Sequence, residues 1–175
     1  MKLLVTGASG FIAKNFIKQA LKQRIKIIAI SRRKKKSNKS LKWVVGKFNK
    51  INLSEVGKFD MLIHFAAYGT RLSERNNLKK NFQVNVLDSK ELILNAINNN
   101  CKKFLIIGTS SEFGKIDIKD EGLKKNDFGT PDDAYGLSKL IFNNLIKDYS
   151  KKYKCKFRIM RLFPVYGKNE NSSRL

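Results

Sequence analysis

Cysteine is scarce in this sequence, in which Cys101 and Cys155 are the only two among 175 residues. They are far apart and lack the close spacing that metal-binding cysteines have. Two widely separated cysteines are typical of a protein that is kept reduced. We therefore expect no metal site and a cytoplasmic location.

Long apolar runs are also lacking. No stretch reaches the roughly eighteen consecutive apolar residues of a membrane span, so we expect no membrane partner. Residues 1–7 lead from a short apolar strand directly into a glycine turn. A secretory signal would need a charged start, a longer apolar stretch and a small-residue cleavage site, so we do not expect one here.

Acidic residues are few, because 14 Asp and Glu accompany 37 Lys and Arg, giving a formal net charge of +23. A charge of this size is compatible with a nucleic-acid or anionic-membrane binder. Lysine, however, is spread over every predicted helix and loop, and no aromatic cluster accompanies the basic residues. We interpret the charge as a compositional bias and expect no nucleic-acid partner; an RNA-associated protein would show strongly salt-dependent binding.

What the sequence does contain is an alternation of short apolar, β-branched runs with longer amphipathic stretches. This pattern is typical of a parallel sheet with crossover helices, and the length suits one α/β domain. Several runs do not alternate with polar residues, as expected of strands buried on both faces. Strands are predicted at residues 2–6, 26–31, 42–45, 61–65, 104–108 and 157–163. Helices are predicted at residues 11–23, 53–56, 78–100 and 134–152, and a polar loop at residues 117–133.

A glycine-rich turn lies between the first predicted strand and the first helix. Gly7 permits a tight turn, Gly10 lets the backbone approach a pyrophosphate, and Ala13 is small enough for close packing of helix and strand. The helix that follows supplies amide donors and the positive end of its dipole. The turn predicts a dinucleotide site, and its other cofactor-binding candidates are Ser9, Phe11 and Ile12.

The end of the second strand indicates which dinucleotide is preferred. An acidic residue about twenty residues after the turn would bind the ribose 2′-hydroxyl of NAD. Here Ser31, Arg32 and Arg33 take that place, and they can bind a 2′-phosphate instead. The sequence therefore favours NADP(H), with NAD as the alternative. If the arginines are only a solvated edge of the basic run, the preference disappears.

A tyrosine and a lysine one helical turn apart follow the polar loop. Tyr135 and Lys139 share one face of the predicted helix 134–152. A phenol has an unperturbed pKa of about 10, and a nearby ammonium group lowers it toward the range useful for proton transfer. Thr109, Ser110 and Ser111 follow the strand at 104–108, at the sheet edge where ligands bind. A hydroxyl among these three could hydrogen-bond the reacting oxygen, and Tyr135 and Lys139 are the predicted catalytic pair.

Taken in order, these segments resemble the extended short-chain dehydrogenase/reductase family, the nucleotide-sugar epimerases, dehydratases and reductases. The segments that carry the resemblance are residues 6–12, 64–67, 85–86, 108–114, 135–139 and 161–167. The resemblance implies Tyr135 as proton donor or acceptor, Lys139 as its activator, and Thr109 as the catalytic hydroxyl with Ser110 as its substitute. It adds further cofactor contacts, namely Phe65, Ala66, Ala67, Asn85, Phe163 and Val165.

The resemblance also implies a fold and partners. We expect a Rossmann-like, doubly wound parallel sheet with strand order 3-2-1-4-5-6 and helices on both faces. Residues 1–168 would form the NAD(P)-binding domain, and residues 169–175 a stub leading toward a substrate-binding domain that this chain lacks. The substrate would be a nucleotide sugar, and a homodimer would form through the helices near residues 78–100 and 134–152.

Three functions remain open. The favoured one is NADP(H)-dependent reduction of a 4-keto nucleotide sugar. A nucleotide-sugar 4-epimerase with bound NAD is the second, and a non-catalytic dinucleotide-binding fragment or module is the third. By the same resemblance, the family's dehydratases follow the catalytic threonine with an acidic pair, or with one acidic residue at the second position after it. Here Ser110 and Ser111 occupy those positions and Glu112 comes one later, which argues against elimination of water.

Overall fold

Six parallel strands form one sheet in the order β3-β2-β1-β4-β5-β6, in a computed structural model that describes residues 1–115, 124, 130–167 and 170. This confirms the predicted Rossmann-like fold and strand order. The strands are β1 Lys2–Thr6, β2 Lys26–Ser31, β3 Leu41–Val45, β4 Met61–His64, β5 Lys103–Thr109 and β6 Lys156–Leu162. Residues 116–123, 125–129, 168–169 and 171–175 lie outside the described residues, including most of the predicted polar loop and of the predicted stub.

Helices connect the strands except between β2 and β3, where residues 32–40 contain none. The α-helices are α1 Phe11–Lys22, α2 Leu53–Val56, α3 Leu78–Phe82, α4 Ser89–Asn98 and α5 Ala134–Lys152. Single 3₁₀ turns, absent from the prediction, occur at Leu72–Glu74 and Ser110–Glu112. The boundaries predicted for α5 are those observed. The predicted boundaries of the other helices and strands agree with the observed ones within a few residues, except for the helix predicted at residues 78–100.

The core consists of two apolar layers, one on each face of the sheet. Alternate residues of a strand point to opposite faces, so Leu4 belongs to one layer and Leu3 and Val5 to the other. The layer under Leu4 is covered by α4 and α5, whose Leu92 and Phe142 are fully buried. The opposite layer is covered by α1. The sheet therefore has helices on both faces, as predicted.

The predicted helix at residues 78–100 is interrupted. A π-helical turn at Gln83–Asp88 separates α3 from α4. The hydroxyl of Ser89 donates a 2.9 Å hydrogen bond to the carbonyl oxygen of Val84, five residues earlier. Such turns occur often at functional sites, and this one faces the loop that follows β4.

The parallel topology places the candidate functional residues at one edge of the sheet. In the register of the sheet, Thr6 at the end of β1 pairs with His64 at the end of β4. The next strand, β5, continues three residues beyond its last partner in β4 and ends at Thr109. The glycine turn, the loop after β4 and the threonine turn therefore lie side by side at the carboxyl end of the sheet.

Candidate active site

The glycine turn needs Gly7 for two separate reasons. Its φ of +63° lies in the left-handed region, where residues with a Cβ atom are strained. A Cβ atom on Gly7 would also lie 2.5 Å from the backbone nitrogen of Ala66, in the loop after β4. The turn and that loop thus approach each other more closely than any side chain permits.

The N-terminus of α1 has the properties of an anion-binding site. Gly10 is the N-cap residue, no side chain caps the helix, and its first turn contains no acidic residue. The unpaired amides and the helix dipole therefore remain to attract a negatively charged group. Ser9 and Gly10 are exposed, and Phe11 and Ile12 are half-buried. These residues fit the pyrophosphate of a dinucleotide.

The predicted phosphate-binding residues of β2 lie beside this turn. The hydroxyl oxygens of Ser9 and Ser31 are 3.1 Å apart, although the residues are 22 positions apart in sequence. The backbone amide of Arg33 donates to the Ser31 hydroxyl at 3.2 Å, and the side chains of Arg32 and Arg33 are exposed. The structure thus joins the end of β2, directly before Arg32 and Arg33, to the glycine turn through a pair of hydroxyls.

His64 is a structural residue of the site. Its ring is buried between the Thr6 hydroxyl, 2.7 Å from Nδ1, and the Ser89 hydroxyl, 2.9 Å from Nε2. Because Ser89 donates its proton to Val84, Nε2 donates to Ser89 and Nδ1 accepts from Thr6. Burial, with a smaller effect from the charge of Lys139, lowers the pKa of His64 from 6.5 to about 3. The ring is therefore neutral.

Asn85 holds the loop that follows β4. Its side-chain oxygen accepts from the amide of Tyr68 at 2.8 Å, and its Nδ2 lies 3.0 Å from the Tyr68 carbonyl oxygen. Nδ2 is also 3.2 Å from Asn81 Oδ1 and 3.0 Å from the hydroxyl of Ser138 on α5. With these partners the side chain is buried, and a direct contact with a cofactor stays a prediction. Phe65, Ala66 and Ala67 in the same loop are half-buried.

Thr109 begins a capped turn at the end of β5. Its hydroxyl oxygen accepts from the amide of Ser111 at 3.2 Å, and the carboxylate of Glu112 accepts from the amide of Thr109 at 2.8 Å. This reciprocal arrangement is a capping box, which fixes the turn. Thr109 is 8% exposed, whereas Ser110 and Ser111 are half-buried.

Glu112 is the fully buried centre of this turn, and its role was missed in the sequence. Its second carboxylate oxygen accepts from Asn143 of α5 at 2.7 Å and from the Arg161 guanidinium of β6 at 2.8 Å. The Thr-x-x-Glu spacing of a capping box was available as a signal for its contact with Thr109. The ion pair with Arg161, 49 residues away, has no local signal.

The predicted catalytic pair, Tyr135 and Lys139, lies in the first two turns of α5. Asp133 caps this helix by accepting from the amide of Gly136 at 2.7 Å. Tyr135 is 8% exposed and Lys139 is 2% exposed. Burial lowers the pKa of Lys139 from 10.5 to about 8, against an opposing effect from the negative charge of Glu112. Lys139 is thus close enough to the Thr109 turn for the charge of Glu112 to affect its pKa.

Arg75 is a second residue that the sequence did not reveal. Its Nη1 lies 2.9 Å from the Asp133 carboxylate and 3.4 Å from the Ser111 hydroxyl. The guanidinium carbon lies 5.5 Å from the centre of the Tyr135 ring. In the sequence Arg75 is an arginine in a polar loop, and no local pattern indicates these contacts. They depend on three segments that are far apart in the sequence packing together.

The aromatic segment after β6 lies near the turn that follows β5. The rings of Phe163 and Phe113 are stacked with their centres 6.2 Å apart. Phe163 is 55% exposed and Val165 is 42% exposed, so the predicted nicotinamide-facing residues present apolar surface. A Cβ atom on Gly167 would lie 3.7 Å from the ring of Phe11, which places this segment beside α1.

A family model matches this arrangement over almost the whole chain. The NAD dependent epimerase/dehydratase family model covers residues 3–175. The chain belongs to this family. The match includes the glycine turn, the Thr109 turn and the pair Tyr135 and Lys139, so the expected resemblance to the nucleotide-sugar epimerases and dehydratases is confirmed.

Relatives within the epimerase/dehydratase family include a dTDP-D-glucose 4,6-dehydratase of Dictyostelium discoideum, 27% identical over 95% of this chain and 44% of the relative. A GDP-mannose 3,5-epimerase of Arabidopsis thaliana is 27% identical over 95% of this chain and 48% of that protein. The structure of a Bacillus cereus UDP-glucuronic acid 4-epimerase, in complex with UDP-glucuronic acid and NAD, has a TM-score of 0.82. It is 26% identical, over 95% of this chain and 58% of its own. The chain spans about half the length of the curated relatives it matches.

Neither a metal centre nor a membrane span accompanies this site in the described residues. Within residues 1–115, 124, 130–167 and 170, no group of three or more His, Cys, Asp or Glu side chains could hold a metal ion. No helix in the same part of the chain has the length and apolar character needed to cross a membrane.

Proposed function

We propose that this chain is the cofactor-binding part of an NADP(H)-dependent oxidoreductase that reduces a 4-keto nucleotide sugar. The observation that carries the proposal is the close approach of the start of α5, which holds Tyr135, to the turn that follows Thr109: a Cβ atom on Gly136 would collide with the carbonyl oxygen of Ser111. Family membership supports a nucleotide sugar as the substrate class. A domain beyond residue 168 would hold that substrate, and residues 1–168 would form the cofactor-binding domain.

The glycine turn and the end of β2 support a dinucleotide with a 2′-phosphate. Gly7, Gly10 and the N-terminus of α1 would hold the pyrophosphate. Ser9 and Ser31 present a joined pair of hydroxyls, and the exposed Arg32 and Arg33 add positive charge. Because no carboxylate is available there for the 2′-hydroxyl of NAD, NADP(H) is the favoured cofactor.

In the proposed reaction the protein binds and protonates a ketone. The dinucleotide, when bound, supplies the hydride for the carbonyl carbon. The hydroxyls of Thr109 and Tyr135 bind the carbonyl oxygen, and Ser110 is the substitute for Thr109. Tyr135 donates its proton to that oxygen, and the positive charge of Lys139 favours the phenolate that remains. Phe163 and Val165 would exclude water from the nicotinamide side.

The environment of Glu112 supports reduction or epimerisation over loss of water. Both carboxylate oxygens accept hydrogen bonds from buried or half-buried groups, and Arg161 neutralises the charge. A base that removes a proton from a sugar carbon needs a free carboxylate facing the substrate. Glu112 has instead a role in holding the Thr109 turn.

A 4-epimerase with NAD is the second candidate, and the Bacillus cereus 4-epimerase bound to UDP-glucuronic acid and NAD is the observation that favours it. The reductase consumes one NADPH for each sugar, whereas the epimerase returns the hydride and consumes none. Following NADPH absorbance with a nucleotide-linked 4-keto sugar separates the two. Stoichiometric oxidation that Tyr135→Phe slows by about 10²-fold or more is expected. With a nucleotide-linked 4-hydroxy sugar and NAD in place of the ketone and NADPH, inversion at C4 without net NADH formation would establish the epimerase. Cofactor binding without turnover of either sugar would establish a binding fragment.

The homodimer is proposed from exposed apolar residues on two helical segments. Leu87 is 48% exposed and Ile141 on α5 is 36% exposed, whereas Leu92 is fully buried against the sheet. The first two are therefore available for a partner and the third is not. Light scattering tests this proposal: Ile141→Lys should give a monomer, and an unchanged mass would exclude this surface.

A further inference from the structure

The strand β3 lies at one edge of the sheet, and half of its backbone faces outward. The residues that bond to β2 alternate with those that do not, and the amide of Gly46 donates to the carbonyl oxygen of Ser31 at 2.9 Å. In a parallel strand the backbone groups of successive residues point to opposite edges. The backbone groups of Leu41, Trp43 and Val45 therefore face away from the sheet.

The chain covers only the first half of this outer edge. Asn38 accepts from the amide of Leu41 through its side-chain oxygen, and its own amide donates to the Leu41 carbonyl oxygen, both at 2.9 Å. The hydroxyl oxygen of Ser37 accepts from the amide of Trp43 at 2.9 Å. Within the described part of the chain, nothing bonds to the carbonyl oxygen of Trp43 or to either backbone group of Val45, which is 54% exposed. The second half of the edge is thus open to an added strand.

A groove of about 540 Å³ runs beside the open half of the edge. It is lined by β3 from Lys42 onward and by residues 50–56, where the buried Ile51 and Val56 supply apolar surface. The Nζ atom of Lys42 donates to the carbonyl oxygen of Val56 at 3.0 Å and so joins α2 to the strand. A sheet edge with pockets beside it can bind an extended peptide, because main-chain hydrogen bonds supply affinity and the pockets receive side chains.

The segment that surrounds this edge is strongly basic. From Arg32 to Lys50, nine of 19 residues are Lys or Arg and none is Asp or Glu, whereas the whole chain has 37 Lys and Arg in 175 residues. The basic residues are thus about twice as dense here as on average, and the bias of the whole composition does not account for them. Lys47 and Lys50 are exposed and line the groove. Among the residues that line it, the one carboxylate is that of Glu55.

We propose that the outer edge of β3 binds an acidic, extended segment of a partner protein as an added strand. The backbone of the segment pairs with Trp43 and Val45. Its carboxylates lie beside Lys47 and Lys50. A second copy of this chain is disfavoured, because two edges of the same strong charge repel each other. A nucleic acid matches the charge but makes no use of an unpaired strand backbone, so the open edge favours a polypeptide.

The single tryptophan of the chain, Trp43, lies in this edge and reports on its occupation. The probe is a short synthetic peptide of alternating glutamate and valine, added to the whole chain without dinucleotide. We expect a saturable change in tryptophan emission whose midpoint rises with salt concentration. The same peptide N-methylated at two consecutive central residues keeps its charge but loses an amide donor on each edge. It should bind about tenfold more weakly or worse.

Variants of the protein test the backbone and the charge separately. Val45→Pro removes an outward amide that β2 does not use, and proline is tolerated at such edge positions; it should weaken binding of the peptide by about tenfold. Val45→Thr keeps the amide and should bind like the wild type. Lys47→Gln with Lys50→Gln should weaken binding by about three- to tenfold. The control pair Lys22→Gln and Lys151→Gln lowers the charge equally on α1 and α5 and should change affinity by less than about twofold.

Binding by charge alone predicts a different pattern. In that case the methylated peptide binds as tightly as the unmodified one and both lysine pairs weaken binding equally, which overturns the proposal. Absence of binding of the unmodified peptide overturns it as well. A single-stranded oligonucleotide that binds more tightly than the peptide in calorimetry, with an affinity that Val45→Pro leaves unchanged, assigns the surface to nucleic acid instead. If Val45→Pro does not fold, the comparison of the two peptides on the wild type decides. None of these results bears on the dinucleotide site, so the proposed function stands or falls separately.

Discussion

The guanidinium of Arg161 lies 2.8 Å from the carboxylate of Glu112, which is completely buried beneath the turn that carries Thr109. This contact joins β6 to the end of β5, and Asn143 joins α5 to the same carboxylate. The candidate catalytic threonine is therefore positioned by a buried ion pair that itself takes no part in the proposed reaction.

Glu112→Gln should destabilise the protein strongly. Removing one partner of a buried pair leaves the other charge uncompensated, so the free energy of unfolding should fall by about 3 kcal/mol in urea denaturation. Asp132→Asn is the control, because its pair with Lys115 is 4.0 Å long and both side chains are exposed. That substitution should change stability by less than about 0.5 kcal/mol. Equal losses in the two variants would refute the structural role of Glu112.

The single histidine gives stability a predictable dependence on pH. The pKa of His64 is about 3 in the folded protein and about 6.5 in the unfolded chain. Between these values the unfolded chain binds a proton that the native protein does not, so stability falls as the pH falls below 6.5. The loss should be about 2 kcal/mol between pH 6.5 and 5, before most carboxylates titrate.

Urea denaturation of the wild type and His64→Gln at several pH values measures this effect. The variant should be less stable at pH 7, because it loses the bonds to Thr6 and Ser89, and its stability should be nearly constant between pH 7 and 5. A wild-type protein whose stability is flat over this range would show that the histidine is not buried in its neutral form.

Gly7 and Gly57 offer a matched pair of substitutions. Both have positive φ values, +63° and +99°, so alanine is strained at each by about 1 kcal/mol or more. Only at Gly7 would the new Cβ atom also collide with the backbone of Ala66, whereas nothing lies within 4 Å at Gly57. Gly7→Ala should therefore be clearly less stable than Gly57→Ala in thermal unfolding. Similar losses would mean that the turn and the loop after β4 are not in close contact.

The sheet was predictable because its strands are short apolar runs, and apolar runs of this length are typical of strands buried on both faces. The strand order came from the resemblance carried by the glycine turn and the Tyr135–Lys139 pair. The interruption between α3 and α4 was not predictable. No local signal in residues 83–88 indicates the π turn, and the Ser89 hydroxyl that follows it contacts His64 from a distant part of the chain.

The candidate site was predictable only where its residues are close in sequence. Tyr135 and Lys139 share a helix face, and Thr109 and Glu112 have the spacing of a capping box. The contacts of Arg75 with Tyr135 and Asp133, about 60 residues away, follow from packing of separate segments. Ser9 and Ser31 were both predicted to belong to the dinucleotide site. The hydrogen bond between their hydroxyls was not predicted.

The proposed dinucleotide site, with its preference for a 2′-phosphate, is tested most directly by titration with NADPH and NADH, followed by nicotinamide fluorescence. The wild type should bind NADPH at least tenfold more tightly than NADH, a difference in binding free energy of about 1.4 kcal/mol. Arg32→Ala should lose most of this preference, and the control Arg71→Ala should keep it. Equal affinities that Arg32→Ala does not change would contradict the NADP(H) assignment in favour of NAD. Failure of both nucleotides to bind would contradict the cofactor-binding function itself.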